Sequence, residues 1–259
     1  DARGEKLGIS TTDLNDQILK KIEEISKSEE ADFDDINVQQ RIENELKRDY
    51  HIITAEKRLR QVAHDLAEHY STGWESGKAM LVCIDKVTCV RMHKLLKKCW
   101  QNRIELLTSE VKHAADEQEE LFRKRQIAWM EETEMVVVIS EEQNEVEKFR
   151  RWDLEEEIKE HRRLIREGFA LDDGKRIDLE SAFKKPDHPF RIAIVCAMWL
   201  TGFDVPSLST LYLDKPLKAH TLMQAIARAN RVAEGKNNGL VVDYCGILKN
   251  LRKALATFA

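Results

Sequence analysis

Five short apolar runs punctuate the chain from residue 79 onward: AMLVCID at 79–85, MVVVIS at 135–140, RIAIVCAMW at 191–199, STLYLD at 209–214 and GLVVDY at 239–244. Their apolarity is continuous rather than alternating. That is the pattern of parallel strands covered on both faces. A helix follows the first run at about 87–101, a highly charged helical stretch fills 141–167, and a further helix at about 220–232 joins the fourth and fifth runs. Strands alternating with helices predict an α/β fold, a three-layer α-β-α domain around a mainly parallel sheet.

The first 75 residues have another texture. Leu14, Ile18 and Ile22 fall on one helical stripe, and Ile42, Leu46, Leu59, Val62 and Leu66 mark others. SKSEEADFDD at 26–35 reads as an acidic linker between helices, and STGWESGK at 71–78 as a loop. The expected division is a helical segment at 1–75, belonging with a neighbouring domain, and an α/β domain at 76–259.

Composition narrows the classes. With 259 residues, 42% hydrophobic and 34% charged, the chain is long enough for a sizeable core and carries more charge than the usual quarter. A net charge of −5 argues against a surface that coats nucleic acid generally, though not against a local basic groove. No run approaches 18 uncharged apolar residues, so no membrane span is expected. The opening DARGEKLGIS has neither an initiator Met nor an apolar signal core, and reads as a segment of a longer cytoplasmic protein. The five cysteines form no CxxC pair and read as buried reduced thiols. Histidines lack metal spacing, His64 and His69 standing at i, i+5, so no metal site is expected. Trp129, Trp152 and Trp199 fall at packing positions, and 148–166 reads as a solvated helix laced by i, i+4 pairs.

The chemistry concentrates near the C-terminus. TGFDVP at 201–206 is a glycine turn with a carboxylate, placed after the third run, where ligands gather in open α/β sheets. Gly202 lets the backbone approach a ligand, and Asp204 can accept bonds from a ribose or order the loop. QAIARANR at 224–231 sets Gln224, Arg228 and Arg231 at i, i+4 and i+7, one face of a helix. Arginine pairs phosphate oxygens bidentately and never loses its charge. Taken singly, the turn reads as a capped loop and the helix as one with solvated arginines; together, in this order and each after a buried strand, they point to a phosphate partner. Lys215 and Lys218, after the fourth run, are placed either to meet phosphates or to sit in a solvated loop, and His220 either caps the helix or supports DNA binding.

The order of these motifs resembles the second RecA-like domain of superfamily 2 helicases, and more narrowly the R (motor and restriction) subunit of type I restriction enzymes. LTGFDVPSLSTLYLDKPLKAHTLMQAIARANR followed by GKNNGLVVDY carries that resemblance, and LVCIDKVTCVRMHKLL at 81–96 resembles the strand and helix of helicase motif IV. It is close over 186–247, fair over 79–97 and loose elsewhere. It implies that Gly202 and Asp204 lie at the nucleotide, that Thr201 meets the nucleic-acid backbone, and that Gln224 links across a cleft. Arg228 and Arg231 would face ATP phosphates, Arg231 as the arginine finger, with Lys215, Lys218 and His220 toward nucleic acid. Ala227 and Asn230 replace glycines found in many relatives, which suits the restriction-subunit branch.

No GxxxxGK[ST] phosphate loop, DEx[DH] box or nuclease carboxylate cluster is present. The resemblance therefore implies one wall of an ATP and Mg²⁺ site whose other wall is a first RecA-like domain, a piece inactive by itself. The implied partners are double-stranded DNA and the modification and specificity subunits, with no membrane. Two alternatives stand beside it: a non-catalytic docking module, and part of another superfamily 2 helicase or remodelling ATPase.

Overall fold

All five apolar runs are strands of one parallel sheet. The computed structural model describes residues 47–142, 145–200, 203–217, 222, 224–227 and 239–246. In chain order its elements are α1 (Lys47–Ile53), α2 (Glu56–Thr72), β1 (Lys78–Cys83), α3 (Lys86–Val111), α4 (Glu117–Glu132) and β2 (Glu134–Val138). There follow α5 (Glu145–Arg150), α6 (Glu155–Glu167), β3 (Phe169–Ala170), β4 (Arg176–Ile177), α7 (Leu179–Lys184), β5 (Phe190–Val195), β6 (Leu208–Asp214) and β7 (Leu240–Asp243). The sheet runs β2-β5-β1-β6-β7, every described pairing parallel, while β3 and β4 form a small antiparallel hairpin.

Continuous apolarity has its expected cause, since β1 and β6 are buried along their whole length. Alternate residues serve two cores. Ala79, Leu81, Cys83, Val137, Ile192, Ile194 and Tyr212 face one core with α2, α3 and α4. Met80, Val82, Val136, Ala193, Val195, Leu211 and Leu213 face the other with α7 and the segment after β5. This period-two division within unbroken apolar runs makes the three layers.

Several boundaries differ from the expected ones. The helix after β1 runs to Val111, ten residues beyond the expected end, because Ile104 and Leu107 continue its buried stripe. It starts at a true cap: the Asp85 side chain accepts from the Thr88 amide at 2.7 Å. The expected loop at 71–78 contributes Ser71 and Thr72 to α2 and Lys78 to β1. Gly77 closes what remains, at φ +112°, where an added Cβ would lie 2.7 Å from the Ser207 carbonyl. Helix α2 packs into the sheet's own core through Leu59, Val62, Ala63 and Leu66. Residues 1–46 lie outside the described residues, as do the helical stripes expected there.

Two expectations for side chains are corrected. Residues 148–166 are not one solvated helix but the end of α5, a turn, and most of α6, whose Ile158, His161 and Arg162 are buried. Exposed i, i+4 pairs such as Lys159–Glu155 do occupy its outer face. Trp152 is not packed inside; it is 52% exposed, with the Arg91 guanidinium 4.7 Å from its ring centre. Cysteines 83, 89, 196 and 245 are buried, Cys99 is partly buried, and all five are free thiols.

Candidate functional site at the carboxyl edge of the sheet

The connection leaving β1 climbs onto one face as α3, whereas those leaving β5 and β6 pack on the opposite face through Leu200, Phe203, Leu217 and Leu222. Departures to opposite faces make a topological switch at the carboxyl ends, the position where parallel α/β sheets bind ligands.

The β5–β6 connection delivers the first motif. Phe203 and Val205 are buried while Asp204 between them is exposed, so two apolar anchors present one carboxylate outward. Just upstream, Trp199 holds φ +68°, a left-handed conformation that a bulky residue rarely adopts. Its ring stacks on Phe203 at 4.2 Å and on Phe183 at 5.4 Å, which supplies the packing that keeps it there. Thr201 and Gly202 lie outside the described residues.

At the end of β6, Lys215 is 6% exposed and its Nζ donates to the Cys196 carbonyl at 2.7 Å, tying β6 to the end of β5. It is therefore a lysine turned inward at the root of the site and not a solvated loop residue. Residues 224–227 are helical; Leu222 and Ala225 are buried, Gln224 is half-buried and Ala227 exposed. Lys218, His220, Arg228 and Arg231 lie outside the described residues.

Beneath these sits a polar layer that the motifs do not announce. Asp214 ends β6 fully buried, and Arg58 Nη2 reaches its Oδ1 at 2.5 Å. Burial pushes the Asp214 carboxyl up, and the Arg58 guanidinium pulls against that. Cys245 Sγ stands 4.0 Å from the same oxygen, its thiol raised well above the ordinary range by burial and then by Asp214. Asp214 Oδ2 is buried and has no hydrogen-bond partner among the described residues. At the end of β1, Tyr50 donates to Asp85 and buried Lys86 pairs with Glu142 at 2.9 Å. No position in the sequence flags these pairs, because each joins residues 35 to 156 apart.

Among the described residues no three His, Cys, Asp or Glu side chains cluster to hold a metal ion, and no helix is long and apolar enough to cross a membrane. A cleft of about 840 Å³ opens away from the carboxyl edge, between α3, α6 and the start of β2. On its floor His93 and His161 meet edge to face at 4.3 Å.

Comparison with known proteins gives the family. The model of type I restriction enzyme subunit R domain 3 matches residues 75–246. The HindI type I restriction enzyme endonuclease subunit of Haemophilus influenzae is 58% identical over 79 residues, 29% of this chain and 8% of that protein. The type I restriction enzyme MjaVIIP endonuclease subunit of Methanocaldococcus jannaschii is 31% identical over 257 residues, 97% of this chain and 21% of that protein. A solved fragment of an HsdR subunit of a type I restriction enzyme from Vibrio vulnificus YJ016 superposes with a TM-score of 0.44 at 17% identity, over 77% of this chain and 29% of that one. This chain thus spans a small part of the relatives' length. It belongs, by the match over 75–246, to the family of type I restriction enzyme R subunits.

Proposed function

We propose that this domain is the arginine-bearing wall of an ATP-driven motor that moves double-stranded DNA for a type I restriction enzyme. The observation that carries the reading is Asp204, exposed between buried Phe203 and Val205 in the connection that leaves the carboxyl end of β5 and enters β6 at Leu208. In this reading Gly202 and Asp204 lie at the nucleotide, Gln224 links across the cleft, and Arg228 and Arg231 follow on its helical face by spacing. Arg231 stabilises the charge that develops during phosphoryl transfer, a role worth on the order of 10³–10⁵ in rate. Thr201, Lys218 and His220 meet nucleic acid, while buried Lys215 orders the turn.

The exposed Asp204 carboxylate suits the ribose hydroxyls of a nucleotide, and the described residues offer no carboxylate cluster for Mg²⁺. When bound, ATP supplies the phosphoanhydride whose cleavage drives stepping. The phosphate loop and the Mg²⁺ ligands belong to a first RecA-like domain, the chain ahead of α2 joins that domain to this one, and the modification and specificity subunits complete the cytoplasmic complex. Alone, the domain turns over no ATP.

The test is Arg231→Ala in an intact R subunit assembled with its partners. DNA-stimulated ATP turnover and translocation are expected to fall by at least about 10³-fold, with the unfolding midpoint unchanged. Turnover at the wild-type rate defeats the reading. It would favour a docking module instead, to which the exposed Leu106, Leu121 and Phe122 of α3 and α4 point.

A further inference from the structure

Helix α2 meets β6 and β7 through polar side chains as well as apolar ones. Arg58, Asp65 and His69 stand at i, i+7 and i+11, one helical face. Arg58 reaches Asp214, Asp65 accepts from the Tyr244 hydroxyl at 2.6 Å, and His69 Nδ1 lies 2.6 Å from the Tyr212 hydroxyl. The Arg58 guanidinium makes the widest set of ties. It donates through Nη1 to the Ile53 carbonyl at 2.9 Å, where α1 ends, and through Nη2 to Asp214 and to the Tyr244 carbonyl at 3.2 Å. One planar fork thus joins the α1–α2 corner, the end of β6 and the turn after β7.

Asp214 is central to the carboxyl edge. It is in register with Cys83 of β1, its neighbour Leu213 pairs with Asp243 of β7, and the next residue, Lys215, holds the end of β5. Whatever sets Asp214 therefore sets the end of β5, from which the connection bearing Asp204 departs, and the root of the helix bearing Gln224. A buried ion pair is a poor device for stability alone, since desolvation offsets most of its attraction. This one is also incomplete: among the described residues Arg58 takes one carboxylate oxygen and the other stays buried without a partner.

Resting on the motor reading, we propose that Arg58 and Asp214 are a positioning pair. Through them α2 holds the carboxyl ends of β6 and β7, and hence the start of the β5–β6 connection and the Gln224 helix, in the geometry that ATP turnover needs. Neither residue touches the reacting atoms. Both act through backbone placement, and they make α2 the element by which movement of the preceding chain reaches the site.

Removing Arg58 alone leaves a buried carboxylate and risks the fold, so the informative variant removes both charges. In an intact R subunit with its partners, Arg58→Met combined with Asp214→Leu is expected to unfold near the wild-type midpoint, because an apolar pair replaces a buried ion pair at little net cost. Its DNA-stimulated kcat should fall roughly 2- to 30-fold, the range for residues that couple without contacting ligand, with KM for ATP within about twofold. A stable double variant with wild-type kcat, beside an inactive Arg231→Ala control, overturns this pairing and leaves the motor reading standing. An active Arg231→Ala control overturns both. Hydrogen exchange on the wild-type subunit gives a test without substitution: a non-hydrolysable ATP analogue should slow exchange at 53–58 together with 243–246. Unchanged exchange at 53–58, while 203–217 responds, also overturns the proposal.

Discussion

Among the described residues, two arginines hold buried carboxylates, and the two pairs are built differently. At the end of β2, Arg162 Nε and Nη2 take the two oxygens of Glu145 at 2.6 and 2.7 Å, and the same guanidinium donates to the Ile139 and Ser140 carbonyls. Glu145 also accepts from the Glu142 amide, so its two oxygens are both engaged. At the end of β6, Arg58 reaches one oxygen of Asp214 from 156 residues away, and the second oxygen is left bare among the described residues. The first pair joins residues 17 apart on adjoining helices and closes on itself. Burial alone therefore does not define a role. A saturated bidentate pair fixes a corner, while a one-point contact spanning the fold leaves room for its partners to shift.

The contrast between the two corners has measurable consequences. The largest effect belongs to Arg162→Met, which strands a buried carboxylate and should cost ~3–5 kcal/mol in urea unfolding. Turnover per folded molecule should be unchanged, the opposite of the Arg58/Asp214 double variant. A turnover loss as large as the stability loss would erase the contrast.

Acid should act on the same corner next. His93 is held down to about 4 by burial and then by Lys97, with the Met135 backbone and Glu157 opposing. His161 is held down to about 3 by burial, then by His93, Lys97 and Arg162. The unfolded chain takes up protons near pH 6.5 that the folded one refuses until about pH 4, so stability is complete above 6.5 and drains away below it. The loss should be roughly 1–2 kcal/mol per histidine by pH 5. Unfolding midpoints between pH 7 and 5 measure it, and His161→Gln should flatten the slope. A slope that survives this change moves the acid sensitivity elsewhere.

The smallest effect tests whether the regions are independent. Arg91 bonds Glu56 of α2 at 3.1 Å and also covers Trp152 beside α6. Trp152→Ala should cost about 0.5–1 kcal/mol in chemical denaturation and leave kcat alone. A measurable fall in kcat would show that the two corners communicate.

Much of the fold is legible in the chain because burial leaves a one-residue signature. Unbroken apolar runs such as 79–85 and 209–214 can be read without knowing their neighbours, and they mark five strands and a parallel α/β class. The turn at Asp204 is equally plain, since Phe203 and Val205 flank it with residues that seek the core. Trp152 misleads because an aromatic near apolar positions reads as core, whereas here a guanidinium covers it. The end of α3 is hidden because its buried positions become sparse among charged ones.

The layers, the strands, and the order of the Gly-Asp turn and the arginine-bearing motif are thus written in the chain itself, as local patterns of polarity and spacing. The strand order β2-β5-β1-β6-β7, the polar seam of Arg58, Asp65 and His69, and the Asp214 oxygen left unpartnered among the described residues emerge only when the chain is folded. Hydrophobic periodicity tells which way a residue faces. A hydrogen-bonded pair depends instead on two residues meeting, and loop closure over 156 residues leaves no mark at either end.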